Sequence, residues 1–188
     1  MNKVLIGGLG TVGALAAVAV AGEARAAVTV IGGGLAEACS RAAVSGEREA
    51  KFEQLCTDAL DTEFLNARDR AGTYVNRGVL KLRRLNWNEA RRDFDLAVRV
   101  KPDLGEAYVN RGAAAIGAKR YADSLTDINK GLELGVDEPA KAYYNRALAY
   151  EGLEDAKSAY FDYQKALEIS PDWTLPKEQL VRFTVSRR

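Results

Sequence analysis

Apolar residues are distributed in two different ways along this chain. Between residues 4 and 21 nearly every position is apolar or small, whereas from about residue 35 apolar and charged residues alternate as they do on helices packed on one side. Within the second region a block recurs: Tyr-Val-Asn-Arg-Gly at 74–78 and at 108–112, then Tyr-Tyr-Asn-Arg-Ala at 143–147. The interval of about 34 residues is the period of stacked pairs of helices. A pair of that size cannot cover its own apolar face, so it folds by stacking on its neighbours.

The block sets a frame of three units, 71–104, 105–138 and 140–173. Small residues then fall at the same places: Gly78, Gly112 and Ala147 in the first helix of each unit, Ala90, Ser124 and Ala159 in the second. Bulky residues recur at Phe94, Ile128 and Tyr163, each followed by a small one at Ala97, Gly131 and Ala166. Small positions let backbones approach and large ones fill the space left over. Pro102 and Pro171 mark where the second helices of units one and three stop. Pro139 precedes unit three and suits the first turn of a helix. Arg77, Arg111 and Arg146 each have an aspartate sixteen residues later, at Asp93, Asp127 and Asp162. That spacing predicts an Arg–Asp bridge between the two helices of every unit rather than an arginine ladder for anions.

These recurring positions resemble the tetratricopeptide repeat over 71–173, in three registered copies. Unit two departs, with Val136 in place of the terminal proline and Ser124 in place of alanine. The resemblance implies an all-α solenoid whose first helices line a concave groove. In this chain the groove positions are Val75, Val79 and Leu82; Val109, Ala113 and Ile116; Tyr144 and Leu148; and Lys141. Asn76, Asn110 and Asn145 recur once per unit, and an amide offers donors and an acceptor to the backbone of an extended peptide. The alternative is that these asparagines only pack adjacent helices. The five-residue clamp with which some relatives grip acidic C-termini is incomplete: Asn110 and Lys141 match, but Val75, Val79 and Asn145 stand where Lys, Asn and Arg are needed.

The N-terminal region is read separately. Met1-Asn2-Lys3, the apolar run and Ala24-Arg25-Ala26 have the layout of a secretory signal peptide over 1–26, cut after Ala26. Gly8-Leu9-Gly10-Thr11-Val12-Gly13 matches a dinucleotide fingerprint, and Val28-Thr29-Val30-Ile31 resembles a second strand. Gly32-Gly33-Gly34 follows instead of the acid that a ribose needs, so the nucleotide reading is set aside. Residues 27–34 then read as a flexible, glycine-rich linker. Residues 35–70 read as a degenerate helical pair, Leu35–Val44 and 48–60, carrying the only cysteines, Cys39 and Cys56. In an exported chain such a pair is expected to form a disulfide. At the other end, 174–188 is expected to hold a capping helix over 175–184. Thr174 would be its cap, with Leu180, Val181 and Phe183 on unit three and Arg182, Arg187 and Arg188 in solvent.

Composition changes the picture mainly by exclusion. Lys and Arg total 27 against 26 acids, so no basic excess points to nucleic acid. There is no histidine, which removes imidazole metal sites and His-based triads. Ser40, Cys39 and Cys56 have no base in view, and Asp93 and Asp95 read as a solvated pair. No cofactor or metal is expected. The resulting expectation is a non-enzymatic module that binds a protein or peptide in its groove, periplasmic or secreted, without membrane insertion once the signal is removed. The alternative is a structural part of an envelope or secretion assembly that works through its convex face or by self-association, with Trp87 and Tyr121 as contact aromatics.

Overall fold

The computed structural model describes residues 4–8, 26–30 and 34–187, with side chains placed for 26–30 and 34–183. Most of the expected signal peptide, the fingerprint beyond Gly8, residues 31–33 and Arg188 lie outside the described residues. Nine helices are described: α1 (Leu35–Val44), α2 (Ala50–Thr62), α3 (Ala67–Arg83), α4 (Trp87–Val100), α5 (Gly105–Gly117), α6 (Tyr121–Leu134), α7 (Pro139–Gly152), α8 (Ala156–Ile169) and α9 (Thr174–Leu180). Two short strands, β1 (Val4–Gly8) and β2 (Phe183–Arg187), pair antiparallel with Val4 opposite Arg187 and Gly8 opposite Phe183.

Helices α3 to α8 form three antiparallel hairpins stacked in series, and the first helices α3, α5 and α7 run side by side on the inner face. The small positions act as the frame requires. A Cβ on Gly78 would lie 2.4 Å from Phe94, and Phe94 itself is fully buried. Burying a ring of that size contributes roughly 2–3 kcal/mol, so the glycine is what allows the hairpin to close on it. Between units, Trp87 packs where a Cβ on Gly117 would stand, 2.5 Å away, and Tyr121 does the same at Gly152. Both aromatics are thus held between units, which removes them as free convex contacts. Leu85, Lys119 and Glu154 turn the chain inside each hairpin with φ of 62°, 59° and 62°.

The three Arg–Asp bridges form, each with two hydrogen bonds from one guanidinium: Arg77 to Asp93 at 3.0 and 2.7 Å, Arg111 to Asp127 at 2.9 and 2.6 Å, Arg146 to Asp162 at 2.7 and 2.8 Å. The remaining nitrogen of each arginine reaches the preceding unit, at Thr57, Asp95 and Asn129 respectively. A tyrosine three residues earlier, Tyr74, Tyr108 or Tyr143, lies under each guanidinium at 5.1–5.6 Å. One arginine therefore joins its own hairpin and also the hairpin before it. Asp93 and Asp95 are consequently not a solvated pair. Asp93 is buried, bonded to Arg77 and to Lys81 at 2.8 Å, because it faces α3 beside Phe94, while Asp95 faces α5.

At the N-terminal end, Cys39 on α1 and Cys56 on α2 are bridged, with Cα atoms 5.0 Å apart and both sulfurs buried. Glu63 receives the amides of Leu35 and Ala36 and so caps α1 from a distance. At the C-terminal end the helix is shorter than expected. It stops at Leu180, begins at Thr174 itself, and is followed by β2. Val181 is 78% exposed, and Arg182 is ion-paired with Glu151 instead of free in solvent. Phe183 does pack on unit three, its ring 6.0 Å from that of Tyr163. Beyond the helix, residues 183–187 pair with β1. The linker expectation also fails for 27–30, which are extended and packed into the groove.

Candidate functional site

The site is built on the inner face of α1, α3 and α5. In the Tyr-x-Asn-Arg block consecutive residues are turned by one helical step, so the arginine points to the second helix and the asparagine points inward. Asn76 and Asn110 are fully buried there, and residues 26–30 lie across them in extended form. The Val28 N–H donates to Asn76 Oδ1 at 2.8 Å, and Asn76 Nδ2 donates to the Val28 carbonyl at 2.8 Å. Asn110 Nδ2 donates to the Ala26 carbonyl at 2.7 Å and to the Glu106 carbonyl of its own helix at 2.9 Å. On α1, Ser40 Oγ donates to the Val28 carbonyl at 3.0 Å and accepts from the Val30 N–H at 3.2 Å.

The segment therefore advances two residues per helix, from α5 to α3 to α1, against the order of the units. Its side chains alternate as a strand's do. Ala26, Val28 and Val30 are 4%, 8% and 5% exposed, whereas Thr29 points to solvent. A Cβ on Gly72 of α3 would lie 2.9 Å from Val28 Cγ1 and 3.3 Å from Val30 Cγ2. The absence of a side chain at Gly72 thus provides the space in which both valines sit.

The other expected groove residues are present but not open. Val75, Val79 and Leu82 belong to the core shared with Cys39, Ala43 and Val28. Val109, Ile116, Tyr144 and Leu148 belong to the core of units two and three. All seven are at most 2% exposed. The Tyr144 ring lies 4.9 Å from Trp173 and 5.4 Å from Tyr163. Asn145 is buried on α7, and Lys141 pairs with Glu138 at 2.7 Å. With buried valines at 75 and 79, the five-residue carboxylate clamp is not assembled. Ser40 and Gly72 were not anticipated as groove residues, and neither were Ala26, Val28 and Val30. The Ala-x-Val-x-Val alternation at 26–30 was the available signal.

The repeated arginines turn their charge to the second helix of each unit. Burial works against the Arg111 charge, but the hydrogen bonds and proximity of Asp127 and then Asp95 hold its pKa above the usual arginine value. The guanidinium is fully committed to these carboxylates. Inside the groove every described hydrogen bond to residues 26–30 involves a neutral amide or hydroxyl side chain. Among the described residues no cluster of three or more potential metal ligands exists, and no helix is long and apolar enough to cross a membrane.

This architecture is that of tetratricopeptide-type helical solenoids. The tetratricopeptide repeat model matches residues 140–172, which is unit three. Among curated relatives, the Hsp70-Hsp90 organizing protein of Triticum aestivum is 39% identical over 85 residues, covering 45% of this chain and 14% of that protein. The chain thus spans only a small part of that relative's length. MamA (41-end) of Desulfovibrio magneticus superposes with a TM-score of 0.60 at 21% identity, covering 79% of this chain and 82% of the other. The first TPR of Spaghetti (RPAP3), solved bound to HSP90 peptide SRMEEVD, gives 0.55 at 23% identity, covering 59% of this chain and 87% of the other. At those identities the likeness is one of fold.

Proposed function

We propose that this protein is a non-enzymatic interaction module that holds an extended polypeptide segment of a partner protein along α1, α3 and α5. The observation that carries this reading is the seating of residues 26–30, whose backbone amides and carbonyls are taken by Asn76, Asn110 and Ser40. Main-chain bonding of this kind gives affinity, and alternate side-chain pockets give selectivity. The peptide-bound state of the RPAP3 domain supports the same use of this fold. The near balance of 27 basic and 26 acidic residues gives no reason to favour nucleic acid as the partner.

The same reading places the protein outside the cytoplasm, periplasmic or secreted. It is supported by the short basic start, the apolar run and Ala24-Arg25-Ala26, and by a buried disulfide of the kind that persists in oxidising compartments. N-terminal sequencing of the exported protein is expected to begin at Ala27, a cut that removes Ala26 and its bond to Asn110 and leaves Val28 and Val30 on Asn76 and Ser40. Chemical cross-linking in the envelope fraction tests the groove. Partner yield is expected to fall at least tenfold when Asn76 and Asn110 are both replaced by leucine in a chain that still melts cooperatively. Unchanged yield from that variant would overturn the reading.

A further inference from the structure

We propose that the groove prefers a segment with a small residue followed by valines or similar β-branched residues at alternate positions, and that residues 26–30 compete with that segment from within the chain. The proposal rests on the groove reading above and adds to it the partner's sequence class and a built-in competitor.

Three features define the preference. The contacting groups, Asn76, Asn110 and Ser40, are neutral and bond only main-chain atoms, so the segment must be extended and needs no charge. Positions equivalent to Ala26, Val28 and Val30 are buried, so an ionised side chain at any of them would lose its hydration without a partner. Depth is set by Gly72, beside which the Val28 and Val30 methyl groups lie at contact distance from where a Cβ would be. A leucine, phenylalanine or lysine in the Val28 place has no matching depth, whereas valine fills the space and is already stiff in the extended form. Position 29 faces solvent and is open to any residue.

In the full chain the segment meets every one of these requirements, and a chain cut after Ala26 keeps the two seated valines. Covalent attachment gives it an effective concentration on the order of millimolar. A partner segment therefore binds with an apparent affinity reduced by the fraction of molecules whose groove is already filled. Because the described hydrogen bonds to residues 26–30 come from neutral side chains, binding is expected to depend little on salt.

The test uses the full chain, its Val28→Asp and Gly72→Ala variants, and an acetylated, amidated fluorescent peptide Ala-Ala-Val-Thr-Val-Ile. The aspartate disfavours seating of the internal segment, so the peptide is expected to bind that variant at least tenfold more tightly than the unaltered chain. A peptide with aspartate for its first valine is expected to bind at least tenfold more weakly. Gly72→Ala is expected to weaken the valine peptide more than one carrying alanine at that place. Hydrogen exchange on the unaltered chain supplies a readout independent of any variant's folding: added peptide should speed exchange of the Val28 and Val30 amides. Equal affinity of the two chains, equal affinity of the two peptides, or unaltered exchange on saturation would each overturn the proposal. So would a dimer whose dilution releases the same amides, since a second copy would then supply the segment. Asparagine-dependent binding of peptides without any preference at the valine positions would sink this inference and leave the groove reading standing. Absence of asparagine-dependent binding of any peptide, to either chain, would remove both.

Discussion

Asn76 and Val28 are joined twice, the valine amide donating to the side-chain oxygen and the side-chain nitrogen donating to the valine carbonyl, both at 2.8 Å. The two residues are 48 apart in sequence. A side-chain amide has thereby replaced the neighbouring strand that residue 28 would otherwise need. Asn110 makes a single bond of this type, to Ala26, so the pair at Asn76 is the principal tie.

Asn76→Ala is expected to strip Val28 of two bonds at a buried position and lower stability by about 2 kcal/mol. Asn110→Ala, losing one bond to the segment, should cost roughly half that. Urea denaturation gives both values. Equal effects would mean that the segment is not what the asparagines stabilise.

A double-mutant cycle with Arg111→Ala and Asp127→Ala should yield a coupling near 1 kcal/mol, the upper end for a partly exposed but two-pronged pair. Arg111 also bonds Asp95 of the preceding unit, so Asp95→Ala should couple to it as well. Zero coupling in both cycles would leave the arginines without a role in joining units.

Reducing the Cys39–Cys56 bridge, or replacing both residues by serine, removes a cross-link across a sequence separation of 17. A loss of about 3 kcal/mol is expected, concentrated in α1 and α2. Since Ser40 is adjacent to Cys39 on α1, exchange at the Val30 amide should rise in the reduced protein. A mass-spectrometric gain of two hydrogen atoms on reduction establishes the bridge itself.

Asp155 caps α8, accepting from the Ser158 amide at 3.0 Å and from its hydroxyl at 2.6 Å. These two bonds hold its pKa below the ordinary carboxylate value. A folded pKa below the unfolded one means the contribution is present above the unfolded value and lost as acid protonates the folded group. Asp155→Ala should therefore cost about 1 kcal/mol at pH 7 and progressively less on acidification below the usual aspartate range. Thermal melts of both proteins from pH 7 to pH 3 check the convergence.

Leu85 is exposed and holds a left-handed backbone that a branched side chain disfavours. Leu85→Gly removes that strain with little packing lost and should raise stability by up to about 1 kcal/mol. A lower melting temperature would show that the leucine side chain contributes more than its exposure suggests.

Much of this molecule was legible along the chain because it repeats. The same small and large residues at one period left a single way to pack, and an Arg and Asp at constant spacing could meet only across a hairpin. The groove was legible in part. Its asparagines were found, together with their capacity to hold an extended backbone, but the occupant was not. Residues 26–30 sit at the junction of an apolar leader and a run of glycines, and five residues carry too weak an alternation to outweigh that context. Asp95 was misjudged for a similar reason: the repeat spacing gave Asp93 its arginine, but Asp95 beside it looked solvated, and only the packing of α4 against α5 brings it to Arg111.

The amino-acid order alone determined that the chain stacks helical pairs and ties them with arginine and aspartate. These follow from local periodicity and from partners at regular spacing. Tertiary structure alone decided that an unremarkable stretch before the first helix enters the groove, that Gly72 makes room for it, and that the last helix yields to a strand. Such outcomes depend on distant surfaces meeting, and the free energy of that meeting is written in no single segment.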